Sequence, residues 1–542
     1  MPCDLQANSE SKKSALRPSV SPDLDKHFGG VDILLGPENG AARITMPENI
    51  CKIPTSELSV DSGCTCQHHP LASTLNNFRN RIDRLMNPSA DELWFLPLGG
   101  TGEIGMNLNL YGHNGRWLMV DCGVTFEAET DVDGELIVSD RPHVQMADPQ
   151  FIIDRQSLLD GLVITHAHED HIGAVAYLWP KLKCPVYTTA FTAEMLRRKL
   201  VEVGIADQVP VTIVEAGAII DIGPFRVEWL RLTHSIPEPF ALLIGTSAGK
   251  VFHTADWKLD SAPVVGKAYE PAMYQRLAKE QIAAMVCDST NANVQGWSGS
   301  EAELYHGLKT HVENTEGRVV VACFGSNIAR LHTLARIAAE TERHLGMLGR
   351  SLVNTVSAAR TTGLWNVTET LVDSRHLGYL PANKLLLVAT GSQGEPRTAL
   401  NRLSIRSYRD MQLEPGDTVI FSSKVIPGNE RAIAAMIERL KSQQLEVITA
   451  ENSHLPIHAS GHPAAEELKS MYQWVKPDCA IPVHGEMQHL KANAAIAKSV
   501  GVRLDLLGLN GDLFLIAPVP GVRRNAVKVG RLGLKNGKLI RL

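Results

Sequence analysis

A chain of 542 residues is too long for one core and predicts two or three domains. Its composition, 44% apolar and 21% charged, is that of a globular protein, and no apolar run approaches the ~18 residues of a membrane span. A formal net charge of −6 argues against a surface coated by nucleic acid through bulk charge, while leaving room for a local basic groove or a metal-centred phosphate site.

Residues 1–90 are rich in Ser, Pro, Asn and Gly and weakly periodic. They read as a largely disordered extension with one short helix at "LNNFRNRIDRLM". The apolar middle of a secretory signal is missing, and Asp4 and Glu10 speak against a transit peptide, so a cytoplasmic location is expected. "CTCQHH", Cys64 to His69, lacks the second spaced pair of a zinc site and reads as a polar tract. Nine scattered cysteines are an odd number, which argues against a disulfide framework. Cys122, Cys184, Cys287 and Cys323 lie in or beside apolar runs and read as buried, reduced thiols.

Order is expected from Glu92 onward. "LWFLPL", "MNLNLYG" and "RWLMVDCG" alternate short strands with glycine turns, as β-hairpins do. "GLVIT" reads as a strand and "IGAVAYLWPKL" as a helix; "PVYTT" and a helix over about Thr192–Val203 follow. "FRVEWLRLTHS", "FALLIGT", "KVFHTADW" and "IAAMVCDST" are further strands. The middle then changes to strand–loop–helix units at "RVVVACFGSNIARLHTLARIAAE", "KLLLVATGSQGEPRTAL" and "DTVIFSSKVIPGNERAIAAMIERL". Three such units predict a parallel sheet covered by helices. Their Gly- and Ser-rich loops suit a phosphate at helix N-termini, although tight turns alone would also need such residues. "CAIPVHGEMQHLKANAAIA", "DLFLIAPV" and "NAVKVGRLGL" return to the first pattern, so the middle unit reads as an insertion.

Between two apolar runs, "THAHEDH" crowds His166, His168, Asp170 and His171 into six positions. In extended chain, residues two apart point the same way, so His166 and His168 can aim at one point. The loop beyond then turns, so Asp170 and His171 can aim at a second point nearby. Imidazole and carboxylate suit zinc or a similar divalent ion, and four such groups beside a core are costly unless something binds them. His234, Asp256 and His484 each end an apolar strand, as His166 does, and become candidates for the same cluster. Asp121, ending "WLMV", fits a role orienting a ligand histidine.

"LPLGGTGEIGMN", "THAHEDHIGA", "THSIPE", "HTADWKLD", "CDSTNA", "FGSNIARL", "TGSQGEP", "IPGNE", "ASGHP" and "PVHGE" together resemble the motifs of the metallo-β-lactamase fold superfamily and, within it, the β-CASP nucleases of the ribonuclease J type. The resemblance runs from about Glu92 to the C-terminus. It implies an α/β fold: an αβ/βα metallo-β-lactamase sandwich with an inserted parallel β-CASP domain. The boundaries expected are 91–299 for the first part of the sandwich, 300–455 for the insertion, and 456–542 for the closing part with a short tail. It further implies two divalent ions per chain, zinc first, with Mn2+ or Mg2+ as alternatives. His166, His168 and His234 would hold one ion, Asp170, His171 and His484 the other, with Asp256 bridging. Asp288 and His462 match positions linked to proton transfer. Ser326, Asn327, His458 and Ser460 match phosphate contacts.

The activity implied is hydrolysis of single-stranded RNA, from the 5′ end or internally, by hydroxide attack at a two-metal site, in RNA maturation or decay. Aromatic residues are only 5%, so extensive base stacking is not expected. No membrane partner is expected. The family's further C-terminal domain, linked to oligomer formation, reads as absent or nearly so, which puts a homo-oligomer in doubt. The chain departs from the family at "FGS", where "FAS" is usual, and at "HTAD", where "HTGD" is usual; both changes spare the ligands. Two other readings compete. A lactonase- or thioesterase-type hydrolase on this fold would bring its last histidine sooner than the 228 positions that separate Asp256 from His484. A non-catalytic RNA-binding relative would have lost ligands, and none of the seven is lost.

Overall fold

The computed structural model describes residues 86–127, 141–367, 371–426 and 429–542. The short helix expected near the N-terminus, "CTCQHH", most of the 1–90 extension, and Pro427 and Gly428 of "IPGNE" lie outside the described residues.

Two sheets stack face to face. The first runs Gly521–Arg523, Leu513–Ala517, Leu93–Gly99, Leu108–His113, Arg116–Val120, Leu159–Val163, Val186–Thr188 and Val211–Ile213. It is antiparallel up to Arg116–Val120 and parallel beyond. The second runs Leu504–Asp505, Cys479–Val483, Ile282–Asp288, Gly249–His253, Phe240–Thr246, Phe225–Arg231 and Ile219–Ile222. Phe95, Tyr111, Leu118 and Val163 of the first sheet share one buried cluster with Trp229, Leu242, Val286 and Ile481 of the second. Alternation along each strand puts these residues on the inner face. Helices Val175–Leu182 and Ala190–Glu202 cover the outer face of the first sheet, and Ala465–Val475 and Met487–Ser499 that of the second. This is the αβ/βα sandwich.

The chain leaves the sandwich after Ile282–Asp288 and builds a separate sheet, ordered His344–Leu348, Leu385–Ala389, Val319–Ala322, Thr418–Phe421, Glu446–Ile448, with every pairing parallel. Five strands stand where the sequence pattern announced three. The two additional strands are both at the edges. "HLGML" lacks β-branched residues and carries a glycine, and "EVI" is three residues long, so neither carries a strand signal of its own. Helix Ala465–Val475 also went unread, although Ala465, Leu468, Met471, Tyr472 and Val475 follow helical spacing on its buried face.

Strand Leu159–Val163 starts earlier and ends earlier than "GLVIT" suggests, and Glu169–Ile172 is a short helical turn, so Asp170 and His171 are presented by a turn and not by a loop. The second helix of this region begins at Ala190, two residues before the expected start. The buried cysteines Cys122, Cys184, Cys287 and Cys323 are free thiols, as is Cys479.

Candidate metal centre

Strand ends of both sheets deliver the polar residues to one place. His166 follows Leu159–Val163, His234 follows Phe225–Arg231, Asp256 follows Gly249–His253, and His484 follows Cys479–Val483 directly. The turn carrying Asp170 is pressed against the chain at Gly123, where an added Cβ would fall 1.7 Å from the Asp170 carbonyl oxygen. Only glycine lets the backbones approach that closely.

Two donor groups result, and they share Asp256. In each, the ligand atoms lie within 4.8 Å of one another: His166, His168, His234 and Asp256 in the first, Asp170, His171, Asp256 and His484 in the second. In the first group His168 Nδ1 lies 3.1 Å from His166 Nε2 and 3.1 Å from His234 Nε2. Asp256 Oδ2 is 3.8 Å from each of those two Nε2 atoms. In the second, His171 Nε2 is 3.5 Å from Asp170 Oδ2 and 3.3 Å from Asp256 Oδ2, and His484 Nε2 is 3.2 Å from Asp170 Oδ2. Ligands ~2.0–2.1 Å from a tetrahedral zinc are ~3.3–3.4 Å apart, so both groups have the spacing of a coordination shell.

The outer nitrogens of four of the five rings are held by hydrogen bonds, which sets their tautomers. Asp121 Oδ2 accepts from His171 Nδ1 at 2.8 Å. The Thr165 hydroxyl donates to Asp121, so its oxygen accepts from His166 Nδ1 at 3.0 Å. His234 Nδ1 donates to the Gly461 carbonyl at 2.5 Å. The Thr290 hydroxyl donates to Asp288 Oδ1 and accepts from His484 Nδ1, both at 2.8 Å. Each of these bonds leaves Nε2 as the ring nitrogen that faces the cluster. Asn107 adds an amide 3.1 Å from the Asp170 carbonyl oxygen and 3.1 Å from His171 Nε2. Thr165, Thr290 and Asn107 were not singled out from the sequence, although each stands inside a quoted motif.

The two groups differ in charge. Burial, with histidine neighbours, holds the pKa of His166 and His234 well below the usual histidine value, and burial brings His168 to about 4. These three rings are neutral donors at physiological pH. Burial also disfavours charge on His171 and His484, but Asp256 and the other carboxylates around them outweigh it, and both pKa values are raised well above the usual one. The carboxyls of Asp170 and Asp256, despite burial, are pulled well below their ordinary range by the same histidines. Buried carboxylates held by protonated imidazoles form a cavity for positive charge that divalent cations suit.

Beside the cluster His462 Nδ1 donates to Asp288 Oδ2 at 2.8 Å, and its ring centroid lies 5.1 Å from that of His234 and 5.5 Å from that of His484. Asp256, Asp288, His462 and His484 form a third close group of donors. The Ser460 hydroxyl oxygen accepts from Asn291 Nδ2 at 2.6 Å and from the His462 N–H at 3.2 Å. His458 keeps a buried Nδ1 without a hydrogen-bond partner, and burial together with the nearby Arg330 charge lowers its pKa to about 3. Ser326 is half-buried in the loop after Val319–Ala322. The side chain of the neighbouring Asn327 points inward: its oxygen accepts from the Arg330 N–H and its Nδ2 donates to Glu301. Its amide is therefore engaged within the fold, and the Asn327 and Ile328 N–H groups donate to the Phe324 and Ser326 carbonyls of the same loop.

A family model described as metallo-beta-lactamase superfamily matches residues 105–259, one described as ribonuclease J, beta-CASP domain matches 316–440, and one described as Zn-dependent metallo-hydrolase RNA specificity domain matches 456–505. The chain is 41% identical over 454 residues to ribonuclease J of Sinorhizobium meliloti, covering 83% of this chain and 78% of that protein. It is 38% identical over 441 residues to ribonuclease J of Mycolicibacterium smegmatis, covering 80% and 76%, and 36% identical over 442 residues to that of Mycobacterium tuberculosis, also covering 80% and 76%. A crystal structure of an Enterococcus faecalis protein described as of unknown function superposes with a TM-score of 0.52 at 13% identity, covering 78% of this chain and all of that one, a likeness of fold alone. With a sandwich bearing two adjoining donor groups, an inserted parallel domain, and relatives this similar over most of their length, the chain belongs to the ribonuclease J family and is a metal-dependent ribonuclease.

Proposed function

We propose that the enzyme hydrolyses single-stranded RNA with two divalent ions per chain, zinc being the first choice from the nitrogen-rich donor set. His166, His168, His234 and Asp256 would hold one ion, and Asp170, His171, His484 and Asp256 the other. When bound, such ions supply the positive charge that lowers the pKa of water and offsets the charge building on phosphoryl oxygens. Asp121 orients His171 and, through Thr165, His166. His462, anchored by Asp288 at Nδ1, keeps Nε2 free to give a proton to the leaving oxygen. Asp288, pulled below the ordinary aspartate range by His462 in spite of burial, remains the anion that this role needs. The loop at Ser326 and Asn327, His458 and Ser460 would grip phosphates flanking the scissile bond. The reading assigns the enzyme to the cytoplasm. Its buried free thiols support a reducing compartment, and among the described residues no helix is long and apolar enough to cross a membrane.

The observation that carries this reading is the meeting of seven donor side chains in two groups joined by Asp256. A chelator-stripped sample should leave end-labelled RNA intact and regain cleavage on adding zinc or manganese. His168→Ala should fold and remain inactive; full activity in a metal-free, folded His168→Ala protein would refute the mechanism. Mononucleotides released from a 5′-monophosphate RNA but not from its triphosphate counterpart mark exonucleolytic action, and internal fragments mark endonucleolytic action.

A further inference from the structure

Arg330 lies in the first turn of helix Ile328–Glu340, an element of the inserted domain, and is 1% exposed. A guanidinium so deeply placed must have every donor met. Nε donates to Glu301 Oε2 at 3.1 Å and Nη2 to Glu301 Oε1 at 3.0 Å, while Nη1 donates to the Ser422 carbonyl at 2.8 Å and to the Ser422 hydroxyl. Glu301 stands in the turn Glu301–Glu303, where the chain enters the insertion. It also receives Asn327 Nδ2 at 3.2 Å, and the Arg330 N–H returns to Asn327 Oδ1 at 2.9 Å. The pair thus holds the Ser326–Asn327 loop from behind.

The same pair is tied to the sandwich. Asp260 Oδ2 accepts from the Glu301 N–H at 3.1 Å, and Oδ1 from the Ser300 hydroxyl at 2.7 Å. Lys258 Nζ lies 3.3 Å from Asp260 and donates to the Gly299 carbonyl at 3.1 Å. Lys258 and Asp260 follow the shared ligand Asp256 by two and four residues. On the returning chain the Ser422 hydroxyl donates to the Ile457 carbonyl at 2.6 Å, one residue before His458. Lys258, Asp260, Glu301 and Arg330, none more than 2% exposed, therefore form one line of contact from the segment after Asp256 to both loops that carry Ser326, Asn327 and His458.

Buried ion pairs are poor stabilisers, because well-packed apolar residues often do as well. What a bidentate guanidinium supplies is direction: its planar fork fixes the angle between the groups it joins. We infer that Glu301 and Arg330 are positioning residues that set the phosphate-gripping loops of the inserted domain relative to the metal centre, an inference resting on the reading of those loops given above. A long RNA needs both the loops and the centre, whereas a small phosphodiester such as bis(p-nitrophenyl) phosphate needs the centre alone.

The test uses the metal-loaded enzyme and these two substrates. Arg330→Lys keeps the charge and loses the fork. A misplacement of ~1 Å can cost about a hundredfold, so kcat/KM on a 5′-monophosphorylated single-stranded RNA should fall by about that factor, mainly through KM. Turnover of bis(p-nitrophenyl) phosphate and bound metal should stay at the wild-type level. Glu301→Gln, which keeps the shape and one acceptor, should lose less. Unchanged RNA cleavage in Arg330→Lys, or equal losses on both substrates, overturns the inference, the second because it marks a merely structural role. If Arg330→Lys does not fold, Ser422→Ala removes only the hydroxyl partner and should show the same split at smaller size; no split there overturns the inference as well. Wild-type enzyme that turns over the small diester but not RNA sinks the functional reading and this inference with it. Wild-type RNA cleavage with no split in the variants sinks only the inference.

Discussion

The two halves of the donor cluster are built from similar side chains and differ in charge. His166, His168 and His234 are neutral rings with one carboxylate, Asp256, behind them. His171 and His484 stand among Asp121, Asp170, Asp256 and Asp288 and hold their protons. The first half offers lone pairs at once, while the second must exchange protons for a cation. A single chemistry of imidazole and carboxylate thus yields two sites of unequal character, decided by how many carboxylates the backbone brings close.

Asp256 belongs to both halves, so its loss should have the largest effect. Asp256→Asn should remove more than about a thousandfold of RNA cleavage, since charge stabilisation is usually the largest catalytic contribution. Metal analysis should find the protein short of both ions, and retention of one full equivalent would show that the halves are independent. Asp121→Asn sharpens the comparison, because Asp121 touches His171 directly and His166 only through Thr165. Loss of such an orienting carboxylate costs about 10–100-fold in metal affinity, and competition titration should show the loss mainly at one of two sites. The pH should separate the halves next. The raised pKa values of His171 and His484 mean protons must leave for a cation to enter, so affinity in that half falls as pH drops through neutrality. His168, held at about 4, keeps its half competent to lower pH. Titration at about pH 8 and about pH 6 should therefore weaken one of two binding steps by about tenfold per unit for a single displaced proton, with proton release measurable by calorimetry in two buffers.

The smallest expected effect concerns the backbone beneath Asp256. Ala255 adopts φ of +52°, a left-handed conformation, at the position where "HTGD" carries glycine. Ala255→Gly should stabilise the fold by about 0.5–1 kcal/mol, the balance of removed strain against a more flexible unfolded chain, as read from denaturant melts. The other departure, Gly325, has a steric companion. An added Cβ would lie 2.8 Å from the Ser351 hydroxyl, so the alanine of "FAS" would require Ser351 to move.

Much of the site is legible along the chain. "THAHEDH" announces ligands because strand alternation aims His166 and His168 together, and His234, Asp256 and His484 stand out as polar groups at the ends of apolar strands. Thr165, Thr290 and Asn107 do not stand out. A hydroxyl or amide near a ligand is common, and its role depends on an angle and a distance that a linear pattern does not hold. Glu301 and Arg330 are equally silent, since 29 intervening steps say nothing of a shared buried fork. The inserted domain shows the same division: central strands such as "LLLVA" and "TVIF" are apolar throughout and easily read, while the short edge strands depend on their neighbours for pairing.

The sequence by itself determined which donors exist, that strands deliver them in pairs, and that the chain breaks from one sandwich to build another sheet; periodicity and side-chain chemistry are local properties. Only the tertiary structure decided which donors share a cavity, which ring nitrogen faces it, and which half is charged. Those outcomes follow from separations of a few ångströms between residues hundreds of positions apart, and from burial, which multiplies every electrostatic difference among them.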